Sequence, residues 1–453
     1  MKNKRILWML PALLFVISFL SCKKYLDKKS DDTLVIPQTL NDFQGLLDDI
    51  TIMNVNTPSR GEVSSDDYFL TKATFDTRPA LYQEAYTWTA DQYFFQNDWS
   101  LNYNPVYNAN LCLEGLDQIQ KTKANEAQWN NIKGSAFFFR AYSFLNLCWI
   151  YAKAYDSQTY NSDLGIALRL SSDFNIPSVR ASVKGSYDQV ISDAKQAIFF
   201  LPDNSQNLMR PSKAAAYGLL ARAYLSMREY DSAGKYADKG LQLKADLLDY
   251  NNTAEVNVKA SVPFKPYNTE IVFYSEMNTD TYVHSTTKSF IDTVLYSYYS
   301  DSDLRKTAFF SPSAGYHKYK GSYLANTNHC FTGIATNELY LIRAECSARA
   351  GNPEAALTDL NTLLVNRYKT GAFTPVTASS PQEALSIILT ERRKELTMRG
   401  LRWIDIKRLN KEGAGIVLKR IIGDKTYTLQ PNEARYALPL PADIILNTGM
   451  QQN

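Results

Sequence analysis

The segment SKAAAYGLLARAYLSMREYDSAGKYADKGLQL (212–243) constrains the fold more than any other stretch. Its apolar and small residues recur at helical spacing, break around Glu229 and Tyr230, and resume at Ala233. Ala214, Gly218 and Ala221 form a small-residue stripe along which a partner helix can approach closely. Tyr217, Leu220 and Tyr224 supply bulk beside that stripe. Neither helix of such a pair can bury its apolar face alone, so the pattern demands neighbours of the same kind.

Tyr217, the Leu220–Ala221 pair, Tyr224 and Ala233 fit the tetratricopeptide pattern of repeated helical pairs. A second copy, ATNELYLIRAECSARAGNPEAALTDLNTLLVNR (335–367), keeps the offset: Ala344 and Ala356 are as far apart as Ala221 and Ala233. Gly351-Asn352-Pro353 supplies its turn. A third pair joins 134–152 to 186–202 across a polar insertion, and a fourth, weaker pair combines 105–121 with 125–133 and beyond. The helical pairs therefore fall near 105–152, 186–202, 212–243 and 335–367. The Phe137-rich helix is no membrane span, because Arg140 and Asn146 interrupt a run that is too short. The predicted fold class is mainly α: a tetratricopeptide-like helical-repeat scaffold with long, irregular, aromatic-rich loops and a small β-hairpin.

The intervals between the pairs differ from them. Residues 68–107 hold 12 aromatics and 267–331 hold 14, among many Asn, Asp, Ser and Thr. Both read as long structured loops with short strands laid over the helices. Residues 416–430 read as a hairpin turned at Gly423 and Asp424, and 435–447 as an extended, proline-fixed tail.

The start of the chain bears on where it works. Lys2, Lys4 and Arg5 precede an apolar run from Ile6 to Leu20, which is short for a membrane span and suits an export signal. Phe19-Leu20-Ser21-Cys22 resembles a lipobox, in which the Cys22 sulfur is lipidated after residues 1–21 are removed; plain secretion or a retained anchor is the other reading. Residues 22–39 then form a polar tether and 40–453 the folded domain. Removal of 1–21 leaves 46 basic against 46 acidic residues, and this balance gives no reason to expect nucleic acid as a partner. Cys112, Cys148, Cys330 and Cys346 have neither metal spacing nor a CxxC motif. One disulfide is open to an exported chain, but Cys112 and Cys148 sit in apolar helical patterns and read as buried thiols.

Aromatic side chains are the ligand surface with a physical argument behind it. The apolar face of a sugar lies against a Tyr or Trp ring while its hydroxyls meet polar groups at the rim. The candidates in the two aromatic intervals are Trp99, Tyr103, Tyr82, Tyr296, Tyr298, Tyr299, Tyr316, Tyr319 and Tyr323. Tyr298 and Tyr299, flanked by polar residues, are the favoured exposed pair, whereas Trp88 reads as core. Glu391 and Glu395 share a helix face and invite comparison with a glycosidase carboxylate pair, but Arg392 and Lys394 beside them indicate ion pairing instead. Trp403 reads as a buried anchor, with Asp405 paired to Arg402 or Arg408. Asp66 and Asp67 read as capping or hydrogen-bonding groups rather than a calcium loop. His284, His317 and His329 lack zinc spacing and read as solvent-facing or ligand-rim residues. No phosphate loop, nucleophile elbow or HExxH is present, so no cofactor or metal is expected.

Taken in order, several segments resemble the RagB/SusD family of outer-membrane nutrient-binding lipoproteins. They are Cys22–Asp27, SSDDYFL (64–70), YTWTADQYF (86–94), residues 164–202, ILTERRKELTMRGLRWIDIKRLN (388–410) and ALPLP (437–441). Arg399 departs from the Glu that the family commonly places before the Gly, so that Glu can have no role here. The resemblance implies a non-enzymatic, lipid-anchored surface protein on the cell outer membrane. It would bind oligosaccharides and deliver them to a TonB-dependent, SusC-like outer-membrane transporter. Peptide capture within the same family and a protein-assembly scaffold are the alternatives; a glycoside hydrolase is disfavoured by the missing acid/base pair.

Overall fold

A computed structural model describes residues 37–89, 97–278, 283–285, 287–324, 326 and 329–453. Cys22, the signal and most of the tether lie outside the described residues, as does part of the 86–94 motif. The principal helices are α1 (Leu40–Leu47), α2 (Asp98–Leu116), α3 (Glu126–Tyr151), α4 (Val183–Phe200), α5 (Lys213–Met227), α6 (Tyr230–Leu243), α7 (Thr336–Arg349), α8 (Pro353–Leu364), α9 (Pro381–Glu395), α10 (Arg402–Asn410) and α11 (Ala442–Thr448). From α2 to α8 each helix packs on the next in chain order, and α9 lies on α7.

The small-residue stripe sets the spacing at the centre. Ser212 opens α5, its hydroxyl accepting the Ala215 N–H at 3.2 Å, and Arg228 closes it in a left-handed conformation at φ 65°. A Cβ at Gly218 would come within 2.6 Å of Ile334 Cγ2, so only glycine admits this approach. Ala214, Leu220 and Ala221 are buried, while Tyr217 and Tyr224 stack on Tyr236 of α6. α3 runs unbroken for 26 residues and packs on both α2 and α4, so the two anticipated N-terminal pairs share one helix. Arg140, inside α3, is held by a two-bond ion pair with Asp193 of α4, both contacts at 2.7 Å. Among the described residues no helix is long and apolar enough to cross a membrane.

Short antiparallel strand pairs lie outside this stack. They are β1 (Tyr68–Phe69) with β5 (Phe290–Ile291), β2 (Leu164–Ala167) with β3 (Arg180–Ser182), β4 (Ile271–Phe273) with β8 (Ile334–Ala335), β6 (Phe310–Ser313) with β7 (Tyr316–Tyr319), and β9 (Leu418–Ile422) with β10 (Lys425–Leu429). The last is the anticipated hairpin, with Ile422 opposite Lys425 across Gly423 and Asp424. The tail differs from the extended reading. The segment 437–441 is extended, but α11 begins directly after Pro441, because ADIILN carries no residue that stops a helix.

The charged C-terminal helices are a buried network. Arg305 contacts Asp303, Glu391 and Glu395, and Arg367 joins Glu395 to Glu270. Burial pushes the Glu395 carboxyl up, but Arg367 and Arg305 outweigh it and hold it at about 2. Glu391 and Glu395 are thus ion-paired as anticipated. Asp405 accepts from Arg408 and Arg392, both at 2.8 Å; Arg402 pairs instead with Asp66 at 2.7 Å. Asp66 and Asp67 are hydrogen-bonding groups, as anticipated, accepting from Arg402 and Arg393 in ion pairs rather than capping a helix. Trp88 and Trp403 are buried, as anticipated. Cys112, Cys148, Cys330 and Cys346 are all free and buried.

Candidate ligand-binding site

The candidate aromatics divide into three settings. In the first, α2 carries Trp99, Tyr103 and Tyr107 one helical turn apart, so their rings share a face. Asn97 starts this helix, its side chain accepting the Ser100 N–H at 2.9 Å. Trp99 and Tyr103 lie 5.0 Å apart between ring centres, tilted at 41°. Trp99 also meets the edge of Tyr151, and the Tyr103 hydroxyl donates to the Ala167 carbonyl at 2.6 Å. Together they floor a cleft of about 410 Å³, within the size range of small-ligand sites. The opposite wall comes from the insertion after β2, with Arg169, Ser171, Ser172 and Phe174, and from Ile444, Thr448 and Met450 at the C-terminus.

Two rings at this cleft are open to solvent: Tyr107 is 47% exposed and Phe174 is 83% exposed. The insertion loop is braced from within. The Arg169 guanidinium donates to the carbonyls of Asp173 and Ile176, and Glu114 of α2 accepts from the Ser171 and Ser172 hydroxyls. Those contacts, with the Ser172 N–H, hold the Glu114 carboxyl below its usual range although burial opposes them. The cleft therefore has a fixed wall, exposed rings at its mouth and Asn104, exposed on α2, at its edge.

The second setting is a face around β7. Tyr316 is 41% exposed and packs edge-on to Phe69, 5.1 Å away, and against Phe290 at 5.3 Å. Tyr296 stacks on His317 at 3.6 Å and meets Phe310 edge-on. Tyr298 is exposed nearby in sequence, and Tyr82 is half-buried against the cluster containing Tyr68 and Tyr86. These rings are largely occupied with one another.

The third setting is core, and it corrects the sequence reading. Tyr299 is 2% exposed: its hydroxyl donates to the Lys394 carbonyl at 2.8 Å and Arg305 lies over its ring. Tyr298 and Tyr299 are therefore not an exposed pair. Tyr319 is packed against Phe309 and Phe310, and Tyr323 donates to Glu270 at 2.5 Å beneath Arg399. His284 is likewise buried, not solvent-facing, and burial lowers its imidazole to about 4. His329 meets Glu276 at 2.8 Å. Among the described residues no cluster of His, Cys, Asp or Glu is arranged to hold a metal. Tyr107 and Phe174 were missed by the sequence reading. The spacing of 99, 103 and 107 carried the signal for Tyr107.

Comparisons with known proteins match this architecture. Residues 24–225 match a family described as SusD-like, starch-binding associating with outer membrane, and residues 267–453 match the SusD family. A SusD-like protein of Formosa agariphila, P2, is 24% identical over 418 residues, covering 78% of this chain and 79% of the relative. A SusD superfamily protein of Bacteroides thetaiotaomicron shares the fold with a TM-score of 0.72 at 22% identity, over 92% of this chain and 99% of that one. A SusD-like carbohydrate binding protein of Bacteroides vulgatus does so with a TM-score of 0.68 at 20% identity, over 91% and 97%. The overall fold and both sequence halves agree: the chain belongs to the SusD family.

Proposed function

We propose that this protein binds oligosaccharides at a surface cleft and passes them to a TonB-dependent outer-membrane transporter without chemical conversion. The observation that carries the reading is the cleft of α2, where Tyr107 and Phe174 present solvent-exposed rings above the Trp99–Tyr103 floor. Such rings stack on the C–H face of a sugar, and a braced loop leaves little ordering to be done on binding. The family description as starch-binding and the carbohydrate-binding relative support the same ligand class. Glu391 and Glu395, the one carboxylate pair on a shared helix face singled out above, are committed to Arg305, Arg367 and Lys394, which supports binding without hydrolysis.

The test is a screen of soluble glycans and peptides against the mature protein. Saturable binding of a glycan, left intact after incubation, is the expected result; binding of peptides alone, or release of shorter sugars, overturns it. Lipidation at Cys22 is part of the same proposal. Acyl chains contribute about 0.8 kcal/mol per buried methylene, so Cys22→Ser should leave the membrane fraction. Cross-linking after detergent extraction should recover a large β-barrel partner; recovery of soluble proteins alone would favour the scaffold alternative.

A further inference from the structure

A second cavity, of about 250 Å³, shares no lining residue with the cleft. It lies where α3 ends, and α10 sends Lys407 into its wall. Lys407 is 2% exposed. Its ammonium donates to the carbonyls of Trp149, at 2.7 Å, and Ala152, at 2.6 Å, which are left without helical partners at the end of α3. In its protonated form the side chain carries three N–H groups, so one remains beyond these two. A buried cation is costly unless an anion is close, and the carboxylates of this region are engaged with other cations. Asp163 accepts from Lys153 at 2.7 Å and from Thr159 at 2.6 Å. Glu433 accepts from Arg435, and Asp156 from Lys411 at 3.0 Å. Burial accordingly lowers the Lys407 ammonium to about 7.

The wall thus combines Lys407, whose ammonium is short of an anion, with ion-paired carboxylates that still have lone pairs for hydroxyl groups. Asn432, also in the wall, adds an amide. The volume lies below the roughly 300–1,000 Å³ of sites for larger ligands, which limits the occupant to about one sugar ring.

We propose that this cavity binds a single acidic sugar, its carboxylate on Lys407 and its hydroxyls on Asp163, Glu433 and Asn432. The proposal rests on the reading that the chain handles glycans, but on residues remote from the cleft. The test is calorimetric titration of the full mature chain with galacturonate, galactose and sodium sulfate at constant ionic strength. Galacturonate should bind saturably, galactose at least about tenfold more weakly, and sulfate should compete but bind more weakly than the sugar acid. Lys407→Met should lose galacturonate binding, while Tyr107→Ala with Phe174→Ala keeps it. Should Lys407→Met fail to fold, Lys411→Gln at the rim should weaken binding roughly threefold. Equal affinity for galactose and galacturonate, unchanged binding in both lysine variants, or loss in the cleft variant overturns the proposal. Sulfate binding as tightly as the sugar acid reduces the site to an oxyanion hole and overturns the sugar assignment. Galacturonate binding here with no oligosaccharide binding at the cleft would instead overturn the cleft reading alone.

Discussion

The α2 cleft and the β7 face are both rich in tyrosine, yet they use it differently. On α2 the rings of Trp99, Tyr103 and Tyr107 are spaced by helical turns, and a separate loop supplies the facing wall. At β7, Tyr316 rests on Phe69 and Phe290, and Tyr296 on His317, so ring contacts are satisfied within the protein. Aromatic density is similar in the two regions. What distinguishes the cleft is a second wall placed at a distance from the rings.

The strongest way to break this contrast is to compare a core ring with the rings of the cleft. Tyr299→Ala, in the core against Phe310, should cost about 3–5 kcal/mol of stability, read by denaturant unfolding, because a fully buried ring and its hydrogen bond to Lys394 are lost. Glycan affinity of the folded fraction should be unchanged. Tyr107→Ala combined with Phe174→Ala should do the reverse. Affinity should fall by about tenfold to a hundredfold in calorimetry, with unfolding unaltered, since each exposed ring contributes roughly 0.5–1.5 kcal/mol of stacking.

A smaller effect separates fold from site. Burial, followed by the charge of Asp67, raises the Glu62 carboxyl to about 8. The folded chain then holds a proton there between about pH 4.5 and 8 that the unfolded chain has released. Stability from this group is full below that window and is lost as pH rises through 8. Between pH 7 and 9 the loss should be roughly 1 kcal/mol, and Glu62→Gln should flatten the profile. The smallest effect is at Tyr298: its replacement by Ala should change stability by less than about 0.5 kcal/mol, in contrast to its neighbour Tyr299.

The helical scaffold was legible because its cause is local. Gly218 and the alanines around it permit close packing, and the offset of Ala221 and Ala233 recurs at Ala344 and Ala356. Family motifs extended that reading over most of the chain. The cleft's Trp99 and Tyr103 were legible as candidate residues, although 68–107 reads as loop and Asp98–Leu116 is instead one helix that sets them on a common face. The cleft's other wall was not legible, because Phe174 and Ser171 reach α2 only through the course of the insertion. The misreading of Tyr299 has a definite source. Polar neighbours in sequence point to exposure, yet Asp303 and Arg305 are themselves buried in an ion-pair network that encloses the ring. His284 misleads in the same way, because the polar Ser285 and Ser289 that follow it are buried with it.

The most direct measurement is residue-level oxidative footprinting of the mature protein with and without a bound oligosaccharide from the glycan screen. Protection of Tyr103, Tyr107 and Phe174, with Tyr298 and Tyr316 unchanged, is the predicted result. Protection confined to Tyr298 and Tyr316 would contradict the cleft as the site of capture.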